Sequence, residues 1–520
     1  MDVSSAVAIL GGLGLFLLGI HHLTEGLKDL AGDSLRRALQ RLISGRLSAI
    51  AFGVVFTALV QSSTAAILAV IGFVSAGLLT FSQAVGVIMG ATLGTTSTPW
   101  LVAIFGFRLR IADAALPILG IGALLWLIAN GRARSFGAVL AGFGLLFTGI
   151  AYMQAGMEGV TWNFTAFTGP GSQWVLAGIG IVMTIVMQSS SAAAATTLVA
   201  LNAGSLTFEQ SCAMTVGQSI GTTATTALMM IGGGLAVRRA ALAHILFGLI
   251  VGVLAMVFLG PLAAAADWIG SRLDDPGGVL GLAAFSTIFK LAGVVAFYPW
   301  VDRFSQAIVR ITGRGSESAL SRLEPAVSEA GGAIALEAAW RAILEVAQGA
   351  VAAVRRSFAD HSVKYDPPAD AIQQVEHFLE SLSLETTDLG TIGPRLVRIC
   401  HALDHVTRLH DDLTRIPSPI RRRPLPASFE AGAQALGAWL DAAQDPSATP
   451  DPAIFAGLEK ASKGLSADCK AGREKTLEDI AWQRVPTATA RATLDTLAWA
   501  DRTLYHAWRL AESLRNASGQ

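Results

Sequence analysis

Long apolar blocks fill the first three hundred residues, at about 3–20, 48–78, 83–105, 113–130, 136–157, 174–204, 210–232, 240–262 and 279–300. Most reach the roughly 18–25 residues that a helix needs to cross a bilayer. After the polar stretch Thr312-Gly313-Arg314-Gly315-Ser316-Glu317-Ser318 the pattern changes. Apolar residues then recur at steps of three and four, the mark of a helix with one buried face. Leu396, Ile399, Leu403, Val406, Leu409, Leu413 and Ile416 form one such seam. Trp340, Ile343, Leu344, Ala347, Val351 and Val354 form another. About six helices are predicted between 331 and 515, separated at Pro367-Pro368, Gly390 to Pro394, Pro417 to Pro426, Pro446 to Pro452, and Pro486. None of them is apolar enough to span lipid. The pattern predicts an all-α protein: a polytopic membrane domain over 1–305, a linker over 306–330 and a soluble helical bundle over 331–515.

Composition narrows the function. The 520 residues are 52% hydrophobic and 15% charged, with 38 basic and 38 acidic side chains. Soluble chains carry about a quarter charged residues, so this composition argues against an ordinary cytosolic enzyme. The balanced charge argues against nucleic acid as a partner. Cys212, Cys400 and Cys469 are too widely spaced for a disulfide framework or a zinc-ligand pattern. No Walker loop, nucleophile–base pair or paired catalytic carboxylates stand out. No cofactor is expected. Met1-Asp2-Val3 lacks a basic n-region, so the first block reads as a retained span.

Residues 53–98 align with 180–225 without gaps at an offset of 127, and 19 of the 46 positions are identical. Gln61-Ser62-Ser63-Thr64-Ala65 matches Gln188-Ser189-Ser190-Ser191-Ala192, and Thr80-Phe81-Ser82-Gln83 matches Thr207-Phe208-Glu209-Gln210. Gly94-Thr95-Thr96-Ser97-Thr98 matches Gly221-Thr222-Thr223-Ala224-Thr225. The membrane domain thus holds two repeats, about 1–130 and 136–262, with an extra span at 279–300.

Block 48–78 as one helix would be about 46 Å long, against a hydrocarbon core of about 30 Å. Cut at its polar centre, each half is only about 22 Å, too short to cross. A re-entrant hairpin with its polar tip near the midplane fits both lengths, and block 174–204 repeats the situation. Each repeat then has three full crossings, an odd number, so the repeats are expected to be inverted, with seven crossings in all. Lys28, Arg36, Arg37, Arg41 and Arg46 in a basic loop, Arg238-Arg239 and the C-terminal domain fall on one side. The positive-inside rule makes that side cytoplasmic and puts the N-terminus outside.

The repeated intramembrane polar groups are neutral Gln, Ser and Thr. Hydroxyls and free backbone N–H groups at the start of a half-helix suit an anion, and hydroxyl and carbonyl oxygens suit Na⁺. The alternative, simple packing of small polar residues between helices, fits a lone Ser-Ser better than a duplicated tip with a duplicated Gly-Thr-Thr. Lys290 lies mid-block in Phe285-Ser286-Thr287-Ile288-Phe289-Lys290-Leu291. A centred charge costs at least about 3 kcal/mol and marks function. His244 reads as a hydrogen-bonded interface histidine rather than a ligand.

The duplicated tips and Gly-Thr-Thr elements resemble the type II sodium/phosphate cotransporters, whose bacterial branch often carries a C-terminal PhoU-like domain. The resemblance implies alternating-access transport of inorganic phosphate with Na⁺ as coupling ion, in a multi-pass protein of the inner (plasma) membrane. By matching position, Gln61, Ser62, Ser63, Thr64, Gln188, Ser189, Ser190 and Ser191 would carry substrate and sodium contacts. Thr95, Thr96, Thr222 and Thr223 would support the ions. Thr92 and Ser219 stand where the family has Asn in Gly-x-Asn-x-Gly-Thr-Thr. Lys290 stands in place of a second family Asn, a fixed positive charge replacing a mobile one. In the PhoU-like domain, Arg408 breaks the four-residue acid spacing after Asp404. His401/His405 reads as a solvated face, and no metal site is expected. The resemblance leaves room for a homodimer and for a regulatory partner of this domain. The competing readings are a carrier or exporter of another small anion, and a phosphate-status receptor with little transport.

Overall fold

The computed structural model describes residues 3–42, 45–75, 79–109, 111–157, 171–231, 233–275, 278–313, 323, 332–359, 369–382, 386–414, 427–443 and 452–517. Every regular element among them is helical. The chain divides into two compact units, one holding Met1–Val74 and Leu79–Gly315, the other Ser75–Leu78 and Ser316–Gln520.

The first unit opens with α1 (Val3–Leu42), α2 (Arg46–Val60), α3 (Ser63–Ser75), α4 (Phe81–Gly94), α5 (Ser97–Leu101) and a π-helical stretch Val102–Arg108. α6 (Ala112–Ile128), α7 (Arg132–Met157), α8 (Ser172–Met187), α9 (Ser190–Asn202), α10 (Phe208–Gly221) and α11 (Thr223–Met230) follow. It closes with α12 (Leu235–Val257), α13 (Leu259–Arg272), α14 (Val279–Phe297) and α15 (Val301–Thr312).

Among the described residues five helical stretches are long and apolar enough to cross a membrane: Ser4–Leu30, Phe81–Arg108, Arg132–Met157, Leu235–Val257 and Val279–Thr312. Seven crossings are expected from the sequence, and the other two blocks fall short for visible reasons. α6 has 17 residues. Block 210–232 is too polar, with Gln210, Gln218, Ser211, Ser219 and its threonines, and it is interrupted at Thr222, whose hydroxyl donates to the Ser219 carbonyl at 2.7 Å. Thr95 does the same to the Thr92 carbonyl at 2.7 Å, where α4 ends. Such side-chain bonds compete with the helical ladder. The expected basic loop is helical instead: α1 continues to Leu42, through Leu, Arg, Ala and Gln, all good helix formers. The first unit likewise continues in α15 beyond the expected boundary at 305.

Both long blocks break where the sequence places their polar centres. Gln61 and Gln188 take the same left-handed backbone, with φ of 54° and 50°. Ser62 and Ser189 then accept hydrogen bonds from Ala65 N and Ala192 N, both at 3.2 Å, capping α3 and α9. The repeated Thr-Phe-x-Gln is a pair of capping boxes at the starts of α4 and α10.

Packing repeats as well. A Cβ on Gly90 would stand 2.0 Å from the Ile50 carbonyl oxygen, and one on Gly217 would stand 1.9 Å from that of Ala177. Ile50 and Ala177, like Gly90 and Gly217, are 127 positions apart, so α2 lies along α4 as α8 lies along α10. A second glycine seam joins α1 to α7: Gly12 meets Gly149, and Gly19 meets Gly142 and Leu146. The two helices therefore run antiparallel. α14 packs most extensively against α13, and also against α4, α5, α9, α10 and α12.

The second unit holds α16 (Gly332–Ala359), α17 (Ala369–Glu380), α18 (Thr386–Thr414), α19 (Ala427–Ala443), α20 (Pro452–Ala481) and α21 (Thr487–Ala517). Ile343, Ala347, Ile399, Val406, Leu409 and Leu413 from the two predicted seams are buried. Val351 and Val354 have side chains outside the described set, and Ile416 lies outside the described residues. One expected break is corrected: Gly390 to Pro394 lies inside α18. Proline removes one ladder bond and crowds the carbonyl four residues earlier, here that of Gly390.

The glycine contacts predict that Gly90→Val and Gly217→Val each destabilise the first unit by roughly 1–3 kcal/mol through overpacking. Gly178→Ala, where a Cβ meets nothing within 4 Å, should be neutral or slightly stabilising. Thermal unfolding of the purified variants checks this, and unchanged midpoints in both valine variants would contradict the close approach.

Candidate functional site

The repeated breaks converge on one cavity. Ser63 from the start of α3 and Ser190 and Ser191 from the start of α9 line it together. Thr92, Thr95 and Pro99 contribute from the α4–α5 segment, and Thr215, Gln218, Ser219 and Thr222 from α10 and its end. His244 from α12 and Ser286 and Lys290 from α14 complete the polar wall. Of the residues singled out in the sequence, Ser63, Thr92, Thr95, Ser190, Ser191, Ser219, Thr222 and Lys290 line the cavity.

The remaining candidates stand behind it or away from it. Gln61 is a brace: its amide Nε2 donates to Ser97 Oγ at 2.9 Å and to the Ala58 carbonyl, and its Oε1 accepts from Thr98 Oγ1 at 2.7 Å. Gln188 is exposed and donates to the Ile185 carbonyl of its own helix at 2.6 Å. Ser62 and Ser189 are the helix caps. Thr64 is half-buried outside the lining, and Thr96 is buried. Thr223 is buried as well, its hydroxyl donating to the Ile220 carbonyl at 2.7 Å. The two repeats touch directly where Thr98 Oγ1 and Ser191 Oγ lie 3.2 Å apart.

Thr215, Gln218, Ser286 and His244 also line the cavity, although the sequence reading assigned none of them to the site. Thr215, Gln218, Ser219 and Thr222 are spaced i, i+3, i+4 and i+7, one face of a helix, so periodicity starting from Ser219 would have found the first two. Gln218 Nε2 donates to Thr197 Oγ1 at 2.6 Å and to the Ala193 carbonyl at 3.0 Å, tying α10 to α9. Its Oε1 is buried without a partner among the described residues. His244 does make the expected hydrogen bond, with Nδ1 2.9 Å from Thr226 Oγ1.

Chemically, the site offers hydroxyls, the N-terminal ends of two 13-residue helices and one ammonium. Lys290 Nζ donates to Thr95 Oγ1 at 2.9 Å. Among the described residues no carboxylate lines the cavity. Helix N-termini and an ammonium attract negative charge, so the arrangement is suited to holding a small anion.

Residues 15–155 and 165–266 match the Na+/Pi-cotransporter family. The match lies within the first unit, which is similar to that family. It is a family of transporters, not enzymes, and with the five apolar helices the match makes this a multi-pass membrane protein. The chain is 29% identical over 299 residues to "Uncharacterized protein YqeW" of Bacillus subtilis (strain 168), covering 56% of this chain and 94% of that protein. It is 28% identical over 308 residues to "Putative inorganic phosphate export protein YjbB" of Salmonella typhimurium, covering 58% of this chain and 55% of the relative. The YjbB of Escherichia coli (strain K12) is 27% identical over 311 residues. The chain spans about half the length of the YjbB proteins that it matches. No solved structure matches it.

In the second unit, Asp404 and Arg408 form an i, i+4 ion pair, with Arg408 Nε 3.0 Å from both carboxylate oxygens. The arginine that interrupts the acid spacing thus occupies the aspartate. His401 is exposed, whereas His405 faces His506 of α21, with Nδ1 atoms 3.3 Å apart. Partial burial, and then the neighbouring His506, push His405 down to about 4. Burial also lowers His506. A histidine whose folded value lies below its ordinary 6.5 takes up protons more readily when unfolded. Its stabilising contribution is complete above about pH 6.5 and is lost as the pH falls towards 4. Protection factors of the α18 and α21 amides, which are exchange rates divided into the intrinsic rate at the same pH, should therefore fall between pH 7.5 and 5, and His405→Gln should shrink the difference. Protection factors indifferent to pH in both proteins would remove the histidine pair as a cause.

Proposed function

We propose that this protein is a phosphate transporter driven by sodium, working by alternating access, with the cavity shared by the two repeats as its binding site. The observation that carries the proposal is that Ser63 and Ser190, equivalent residues of two duplicated breaks, line one cavity. The family match and the phosphate-export relatives supply the substrate. In the proposal the serine hydroxyls and the two helix ends hold the anion, and hydroxyl and carbonyl oxygens around Thr95 and Thr222 take Na⁺.

Inverted repeats with re-entrant hairpins are part of the same reading. The antiparallel α1–α7 seam supports inversion: Gly12 meets Gly149 and Gly19 meets Gly142, and in each helix the two glycines are seven residues apart. α2 and α8, at 15 and 16 residues, reach only about 22–24 Å, which supports hairpins. Arg46 pairs with Asp302, and Arg239 donates to Thr312 Oγ1 at 3.2 Å and to the Gly313 carbonyl at 3.0 Å. Basic residues from α2 and α12 thus gather on α15, which supports a cytoplasmic side there. A PhoU-like second unit with a regulatory role, on the cytoplasmic side of an inner membrane, completes the proposal.

The two tips differ in a way that suits alternation. Gln61 is braced by Ser97 and Thr98, whereas Thr225, the counterpart of Thr98, donates to the Thr222 carbonyl at 2.8 Å instead of to Gln188. Exchange of the brace between the tips would reopen the cavity on the other side. Thr98→Val and Thr225→Val should therefore bias the protein in opposite directions. The readout is labelling of Ser191→Cys by a membrane-impermeant thiol reagent from each face of oriented vesicles; the same bias from both variants would sink the exchange model.

The direct test is labelled phosphate flux in proteoliposomes under imposed Na⁺, K⁺ or H⁺ gradients. A sodium gradient should drive accumulation, and Ser63→Ala with Ser190→Ala should abolish it while the protein stays monodisperse. Wild-type flux that ignores sodium would refute the coupling, and binding without flux would favour a receptor. The printed names of the YjbB relatives favour a second reading, net export, which the same assay reads as efflux from loaded vesicles.

A further inference from the structure

Lys290 is 8% exposed and is the charged group in the lining of the cavity. Thr95 Oγ1 accepts one of its N–H bonds at 2.9 Å, and the Phe289 ring centroid lies 5.7 Å from Nζ. Among the described residues no carboxylate lies within ion-pairing distance of it. An ammonium has three donors and no acceptor, so two N–H bonds remain to be satisfied. A charge kept in a membrane interior without a partner costs at least about 3 kcal/mol. The cavity therefore holds a cation for which no described residue provides a counter-ion.

The placement of this cation is one-sided. Lys290 belongs to α14, outside the two repeats, yet α14 packs against helices of both. Its ammonium is thus added to a duplicated site that is otherwise neutral, beside Ser63, Ser190 and Ser191. A multiply charged anion in such a neutral, low-dielectric site is stabilised by mobile cations that enter with it. A fixed ammonium does part of that work permanently, and its hydrogen bonds to an oxyanion are of the strong, charge-assisted kind.

We infer that Lys290 is the built-in counter-ion of the transported oxyanion and takes the place of one co-transported cation, so that anion binding requires one mobile cation fewer. This rests on the reading of the cavity as an anion-transport site. It makes Lys290 a determinant of ion coupling as well as of affinity.

The test is equilibrium binding of labelled phosphate and labelled sulfate to the purified full-length protein, from zero to saturating Na⁺ with choline as replacement. The expected result is that the wild type binds an oxyanion without Na⁺. Lys290→Gln should then raise Kd at least tenfold in choline and recover affinity along a steeper Na⁺ dependence. Lys290→Arg, which keeps the charge, should stay close to wild type. Equal Kd values for wild type and Lys290→Gln at every Na⁺ concentration would overturn the inference while leaving the phosphate reading intact. Equal losses in the Gln and Arg variants would mark a packing role and overturn it as well. Lys290-dependent binding of sulfate with none of phosphate would remove phosphate as substrate but uphold the built-in counter-ion. Absence of wild-type binding to either anion would overturn both.

Discussion

Polar backbone and an ammonium inside an apolar unit are tolerated only where each finds a partner or faces a cavity. The first unit is arranged around that constraint. Two helices stop at Gln61 and Gln188 in left-handed turns, and two others restart at Ser63 and Ser190 with their positive ends at the cavity. Thr95 ends α4 by bonding to a carbonyl of its last turn, and the same hydroxyl receives the Lys290 ammonium. Thr95 and Thr222 both interrupt a helix and line the cavity, whereas Gln61, Ser62, Gln188 and Ser189 make the turns outside its lining.

Placing helix breaks opposite one another requires the surrounding helices to be held closely and at fixed height. The glycine contacts do this: α2 meets α4, and α8 meets α10, with backbone atoms close enough that a Cβ would collide with a carbonyl. Without a hydrophobic driving force between helices in lipid, close backbone approach is what holds such pairs together. The same residues therefore serve packing and function indirectly, since a shift of α4 against α2 would move Thr92 and Thr95 relative to Ser63. The second unit works by soluble rules instead. Its helices bury apolar seams, and of its polar contacts between helices the pair His405 and His506 is sensitive to proton uptake.

The helical class, the two blocks too long for one crossing and too short for two, and the positions of their breaks were legible because periodicity, length and duplicated polar motifs are local properties. Serine pairs at a fixed offset of 127 announced the tips, and the isolated charge at Lys290 announced a polar group that proves to line the cavity. Helix breaks inside 83–105 and 210–232 were not legible, because whether a threonine bonds to its own helix depends on neighbours that the sequence does not name. The continuation of α1 through its basic stretch was missed because charge was taken as the end of a helix, although helix propensity does not follow polarity.

By itself, then, the chain determined a duplicated, apolar, all-helical first unit with two uncharged polar breaks, a centred lysine and a charged helical second unit. Tertiary structure alone decided that the breaks share one cavity, that Gln61 braces a tip while Gln188 does not, and that Thr215, Gln218, His244 and Ser286 join the lining. The physical reason is the difference between spacing and proximity. Spacing along the chain fixes which residues share a helix face, whereas only packed helices fix which faces meet.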